Sequence, residues 1–149
     1  MVLRILIYLL PVSYMAIIWL QSHYFNPGQI AQIIIIELPQ IVFVLIGITF
    51  ELLHLVEFGL LYFLFIMVFL TFGRLNSKKE IVALVITLVY SFVDETHQYF
   101  VPHRSFSIVD MIKNVIGIIV VWYLVRRSYY ASKYNKLGLM LNGFTNVFK

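Results

Sequence analysis

The chain has no cysteine, which excludes a disulfide framework, a thiolate metal site and a cysteine nucleophile. Charge is scarce too. Asp, Glu, Lys and Arg together make up 12% of the 149 residues. No His-Glu-x-x-His pattern occurs, so the spacing matches no standard zinc signature, and neither a metal nor another cofactor is expected. There are no internal repeats, no low-complexity tracts and no composition shift that would mark a second domain, so residues 1–149 read as one unit. What fills the chain instead is apolar surface. It is 62% hydrophobic, with a mean hydropathy of +0.93. Soluble domains average about 45–50% apolar, and none of this size could hide the surplus, so the solvent must be lipid. The net charge of +4 does not indicate a nucleic-acid partner, because the basic residues form short clusters between apolar runs rather than one basic face.

A membrane-crossing helix needs about 20 mostly apolar residues. Four runs qualify, at about 3–22, 52–72, 81–98 and 110–125. The first is read as a retained span, because the flank Trp19-Leu20-Gln21-Ser22-His23-Tyr24 lacks a small-x-small cleavage site. Pro11 within it is tolerable between neighbouring helices. The stretch 30–50 is apolar but interrupted by Glu37-Leu38-Pro39-Gln40, and almost no loop separates it from the run at 52. It is read as one or two short helices lying in the interface or packed on the bundle. The expected fold class is therefore all-α, a polytopic four-helix transmembrane bundle with a short interfacial helix or helices in the first outer loop.

Basic residues set the orientation. Arg4, then Arg74, Lys78 and Lys79, then Arg126, Arg127, Lys133, Lys136 and Lys149 fall on one side of such a bundle. The segment 23–50 has no Lys or Arg, and the loop 99–109 has only Arg104. The positive-inside rule places the first set, both termini and the 126–149 tail in the cytoplasm. Tyr24, Phe25, Tyr99 and Phe100 fit an outer aromatic belt, and Tyr129, Tyr130 and Tyr134 an inner one. A short surface helix is expected over 137–148.

The few polar residues are not scattered. Thr87, Tyr90, Ser91, Asp94 and Gln98 share one helical stripe, with Glu95 and His97 on its shoulders. Glu51, His54, Glu57 and Phe58 form a similar stripe on the second run, and Asp110, Lys113, Asn114 and Gly117 on the fourth. A charge facing lipid costs at least about 2.5–3.5 kcal/mol, so the stripes should turn toward one another, and Gly117 would let its helix approach closely. The expected result is a polar cavity open to the outer leaflet. Its ligand-binding candidates are His54, Glu57, Gln98, Arg104, Asp110 and Asn114, and its catalytic candidates are Asp94, Glu95 and His97.

These same residues carry a resemblance. His54-Leu-Val-Glu57-Phe58-Gly59, Tyr90-Ser-Phe-Val-Asp94-Glu95-Thr-His97-Gln98 and Pro102-His-Arg104-Ser-Phe-Ser-Ile-Val-Asp110-Met-Ile-Lys-Asn114-Val-Ile-Gly117 resemble, in order and spacing, the VanZ-like family of bacterial membrane proteins. Family members commonly place Gly where His103 stands, and often Lys in the region of Glu51. The resemblance covers about residues 50–125. It implies a multi-pass protein of the bacterial cell membrane, in a family whose name-giving member confers resistance to teicoplanin-type lipoglycopeptides.

Two functions follow for the cluster. In the first, the cavity binds an outer-leaflet amphiphile, with Arg104 gripping a phosphate or carboxylate and His97, Gln98 and Asn114 supplying hydrogen bonds. In the second, the protein is an enzyme on a lipid-linked envelope substrate. Asp94 and Glu95 would then serve as general acid and base, and His97 or His54 as base or nucleophile. The plain alternative is a polar network that only holds short helices together, at about 0.6 kcal/mol per interaction. The partners expected are a membrane lipid or lipid-linked amphiphile and, for so thin a bundle, a second copy of the chain.

Overall fold

A computed structural model describes residues 1–24, 26, 40–102, 104–131 and 135–148, without the side chains at 40, 43, 46–51 and 54. The described residues form helices and no strand. These are α1 (Val2–Tyr24), α2 (Gln40–Leu70), α3 (Ser77–Tyr99), α4 (Ile108–Tyr130) and α5 (Lys136–Val147).

The helix starts are written into the sequence. Asn76 accepts from the Lys79 amide at the head of α3, and Asn135 from the Leu137 amide at the head of α5. Ser107 caps α4 by accepting from the Asp110 amide at 3.1 Å. Each side-chain oxygen satisfies an amide that has no partner within its own helix. The end of α2 is handled differently. Gly73 takes φ +100°, a left-handed conformation open to glycine. Lys79 Nζ then donates to the carbonyls of Phe69, Phe72, Gly73 and Arg74 at 2.9–3.2 Å. An ammonium at the negative end of a helix dipole caps it and completes the turn into α3.

Helices α2 and α4 share the most extensive contact. At their crossing Gly59 faces Gly117, and a Cβ on Gly117 would overlap the Leu55 carbonyl. The two backbones therefore touch where the sequence expects a close approach. Phe58, Leu61, Tyr62, Ile66 and Leu70 of α2 pack with Ile18 of α1, Ala83 of α3, Ile118, Val125 and Tyr129 of α4 and Leu141 of α5. Helix α1 buries Ile7, Pro11, Ile18 and Ser22 along one stripe and lies against α2 and α3. The expected helix at 137–148 is present as α5, packed on α4 and α2.

The outer surface is apolar. Leu9, Leu10 and Ile17 of α1, Val85, Val89 and Phe92 of α3, and Ile112, Ile116 and Ile119 of α4 are all exposed. Helices α1 and α4 are long and apolar enough to cross a membrane, and Leu55–Leu70 forms a shorter apolar stretch within α2. A bundle whose outside is as apolar as its inside is built for lipid.

Two features differ from the sequence reading. Residues 40–50 do not form a separate helix but continue without a break into α2, a single helix of 31 residues and thus about 46 Å long. The interruption at 37–40 falls where α2 begins rather than within it, and no proline lies between 41 and 70 to stop the helix. The rest of the expected interfacial segment, 27–39, lies outside the described residues. Tyr129 is also no belt residue. It is buried, and its phenol oxygen accepts from the Leu75 amide at 3.1 Å. Tyr24, Tyr99 and Phe100 are exposed as a belt requires, while Phe25 and Tyr134 lie outside the described residues.

Candidate functional site

The buried face of α3 is a polar stripe: Glu80, Thr87, Ser91, Asp94, Glu95 and Gln98, with Ala83 among them. It follows from helical periodicity, because each of these residues is three or four positions from the next or adjacent to one that is. At the C-terminal end of α3, Asp94 is 1% exposed and Gln98 2%. The Asp94 carboxylate accepts from Ser22 Oγ at 2.8 and 3.0 Å and from Gln98 Nε2 at 2.8 Å. Gln98 Oε1 in turn accepts from the Arg104 guanidinium at 2.9 Å. The two neighbours fix the Gln98 amide in one sense, since a carboxylate can only accept and a guanidinium can only donate. The result is a relay from Arg104 through Gln98 to Asp94, closed from α1 by Ser22. Tyr90 donates to the Met15 carbonyl at 2.5 Å, a second tie between α1 and α3.

Glu57 is buried on α2, within electrostatic reach of Asp94 and Arg104. Glu95 is fully buried, accepts from the Ser107 amide at 3.3 Å and lies within reach of Asp94, Arg104 and Asp110. Asp110 pairs with Lys113 at 2.8 Å one turn along α4. His97 stacks on Trp19 at 3.6 Å between ring centroids, with His23 behind it at 5.6 Å. Asn114 is fully buried on α4, one turn from Gly117. His54 sits one turn before Glu57 on α2, and its side chain is outside the described set. The structure thus brings Asp94, Gln98, Arg104, Glu57, Glu95 and the head of α4 to one end of the bundle. His97 is placed on the α1 side instead.

Several polar atoms here find no partner among the described residues. Glu95 Oε1, both amide atoms of Asn114, His97 Nδ1 and Ser91 Oγ are buried and have no hydrogen-bond partner among the described residues. A buried polar group left unsatisfied costs about 1–3 kcal/mol. Such an arrangement is suited to receive a guest with its own donors and acceptors. No group of three or more His, Asp and Glu among the described residues is placed to hold a metal ion.

Two residues that matter are not marked by the sequence. Ser22 looks like an ordinary polar flank, although its position four residues after Ile18 places it on the buried stripe of α1. Glu80 stands beside Lys78 and Lys79 and resembles a solvated loop charge, yet it is 1% exposed. Its Oε2 accepts from Arg126 at 2.8 Å and from Trp122 Nε1 at 3.1 Å, and its Oε1 accepts from Tyr130 at 3.0 Å. These donors recur every four residues on α4, which would have been the one available signal.

Apolar-faced helices that bury carboxylates and amides at one end, with a half-buried arginine beside them, define a membrane protein with a polar interior. The family is more specific. The VanZ/LLP1 family model matches residues 2–129, and the chain belongs to that family. No curated protein and no solved structure matches the chain.

Proposed function

We propose that the chain crosses the bacterial cell membrane four times, with α1, the apolar part of α2, α3 and α4 as its spans and both termini in the cytoplasm. The C-terminal end of α3 then faces outward and holds a polar cavity that binds an outer-leaflet amphiphile, such as a lipid-linked envelope precursor or the lipid tail of an antibiotic. Arg104 holds the anionic group, and Glu57, Gln98, Asp110, Asn114 and His54 line its seat. Binding of this kind supports resistance to teicoplanin-type drugs by sequestering them or limiting access to their target, or it serves envelope homeostasis. Partners are lipids or lipid-linked amphiphiles and a second copy of the chain.

The observation that carries this reading is Asn114, an amide fully buried on α4 with neither its donor nor its acceptor used among the described residues. A side chain serving only to pin helices together would have a partner. The test is a titration of the full-length protein, in phosphatidylcholine nanodiscs, with labelled teicoplanin and with a lipid-linked peptidoglycan precursor. Wild type should bind at least one of them. Arg104→Ala and Asn114→Leu should each weaken binding about tenfold or more, the scale of one lost hydrogen bond to a charged or buried group. Absence of binding to both probes refutes the reading. Reporter fusions at residues 76, 103 and 149 check the sidedness.

A second reading, a membrane-embedded hydrolase or transferase using Asp94, Glu95 and His97, draws support from the unpartnered Glu95 Oε1 and His97 Nδ1. It requires turnover of the lipid-linked probe that Glu95→Gln abolishes while binding persists.

A further inference from the structure

The opposite end of the bundle holds a separate cavity of about 390 Å³, lined by Arg74, Tyr129, Tyr130, Asn142 and Asn146 among others. It lies between the α2–α3 turn, the end of α4 and helix α5, and its volume is within the range of small-ligand clefts, about 300–1,000 Å³. We propose that it seats the phosphate headgroup of an anionic membrane lipid.

Three donors are available there. The Arg74 guanidinium is exposed and makes no hydrogen bond or ion pair among the described residues; only its carbonyl is engaged, by Lys79. The Tyr129 phenol oxygen accepts from the Leu75 amide, which leaves its own proton to donate. The Asn146 amide has no hydrogen bond among the described residues. Tyr130 and Asn142 are already committed, the first to Glu80 and the second to the Tyr129 and Gly138 carbonyls. A guanidinium with two neutral donors matches the planar, multidentate recognition of a phosphate.

Among the described residues no acid competes for Arg74. Glu80 is the one described carboxylate at this end, and both its oxygens are occupied by Arg126, Trp122 and Tyr130. The surroundings favour a lipid over a soluble phosphate. Leu139, Met140 and Val147 are exposed along α5 and offer contact to acyl chains. Exposed Arg126 and Arg127 add general attraction to an anionic surface.

The test uses the full-length protein in mixed nanodiscs of phosphatidylcholine and phosphatidylglycerol, with retained lipid counted by native mass spectrometry. Wild type should keep phosphatidylglycerol in preference to phosphatidylcholine by about fivefold, the scale of one basic residue at an anionic surface. Arg74→Ala should remove the preference and Asn146→Ala reduce it, while Arg127→Ala, outside the cavity, lowers it far less than Arg74→Ala does. Unchanged melting temperatures will show that the variants are folded, as exposed positions allow. Equal retention of both lipids by wild type overturns the proposal. So does equal loss in Arg74→Ala and Arg127→Ala, which would mean diffuse attraction. Displacement of the lipid by inorganic phosphate at equal concentration overturns the lipid assignment in favour of a soluble anion.

Discussion

The two ends of α3 solve the same problem in opposite ways. Both bury a carboxylate in a helix surrounded by apolar side chains. At the N-terminal end Glu80 meets Arg126, Trp122 and Tyr130, and both its oxygens are bonded. The Arg126 guanidinium also lies 5.7 and 5.8 Å from the ring centres of Trp122 and Tyr130, so cation and anion share one aromatic frame. At the C-terminal end Asp94 is bonded, but Glu95, Asn114, His97 and Ser91 each keep a buried atom without a partner among the described residues. A closed network holds helices together and is complete by itself. An incomplete one costs stability, and proteins keep such costs where function requires them. Under the proposed function, the contrast separates a pin from a site.

The sharpest way to break the comparison is to remove the frame common to both ends. Gly117→Ala places a methyl group against the Leu55 carbonyl, a backbone atom that cannot rotate away. It should cost about 3 kcal/mol or more and disable both ends, seen as a large drop in melting temperature in detergent or as failure to accumulate in membranes. Next comes Glu80→Ala, which strips three donors of their acceptor. About 2–3 kcal/mol of stability should be lost with little change in amphiphile binding by the folded fraction. If Glu80→Ala proves harmless, the pin is imaginary.

Asn114→Leu has a smaller effect of opposite sign. It replaces an unsatisfied amide with an apolar group of similar shape, which should leave stability unchanged or raise it by up to about 1 kcal/mol while binding fails. A clear loss of stability would mean that the amide has a structural partner and that the two ends are alike. The smallest expected effect belongs to Lys79→Met, which removes the ammonium from the four carbonyls closing α2. About 0.3–1 kcal/mol should be lost, measurable as faster amide exchange at 69–74, with no consequence for either ligand.

Much of the C-terminal cluster was legible in the sequence because a helix repeats every 3.6 residues and charge in lipid is expensive. Asp94, Gln98 and Asn114 fall on stripes that periodicity alone assigns to the interior, and Gly117 signals a close crossing. The limits were equally physical. Ser22 is a single hydroxyl in a polar flank, and its value comes from Asp94, which lies 72 residues away. Glu80 sits beside two lysines, and the local sequence cannot show that its true partner is Arg126 on another helix. The continuity of α2 through residue 50 was hidden because the run from 52 is by itself long enough for a span, and nothing local shows that the helix begins at Gln40. Periodicity reveals which face of a helix is buried; it does not reveal which atoms meet there.

The Gly59–Gly117 contact has a mechanical consequence. Where two backbones touch, neither helix can slide along the other, so α2 and α4 act as one stiff post. Helix α1 is fastened differently, by the packing of Ile7, Pro11 and Ile18 and by the Ser22 and Tyr90 hydroxyls, while residues such as Leu9, Leu10 and Ile17 are exposed. Any loosening of the bundle is therefore easier at α1, held by side chains alone, than between α2 and α4, where backbone meets backbone.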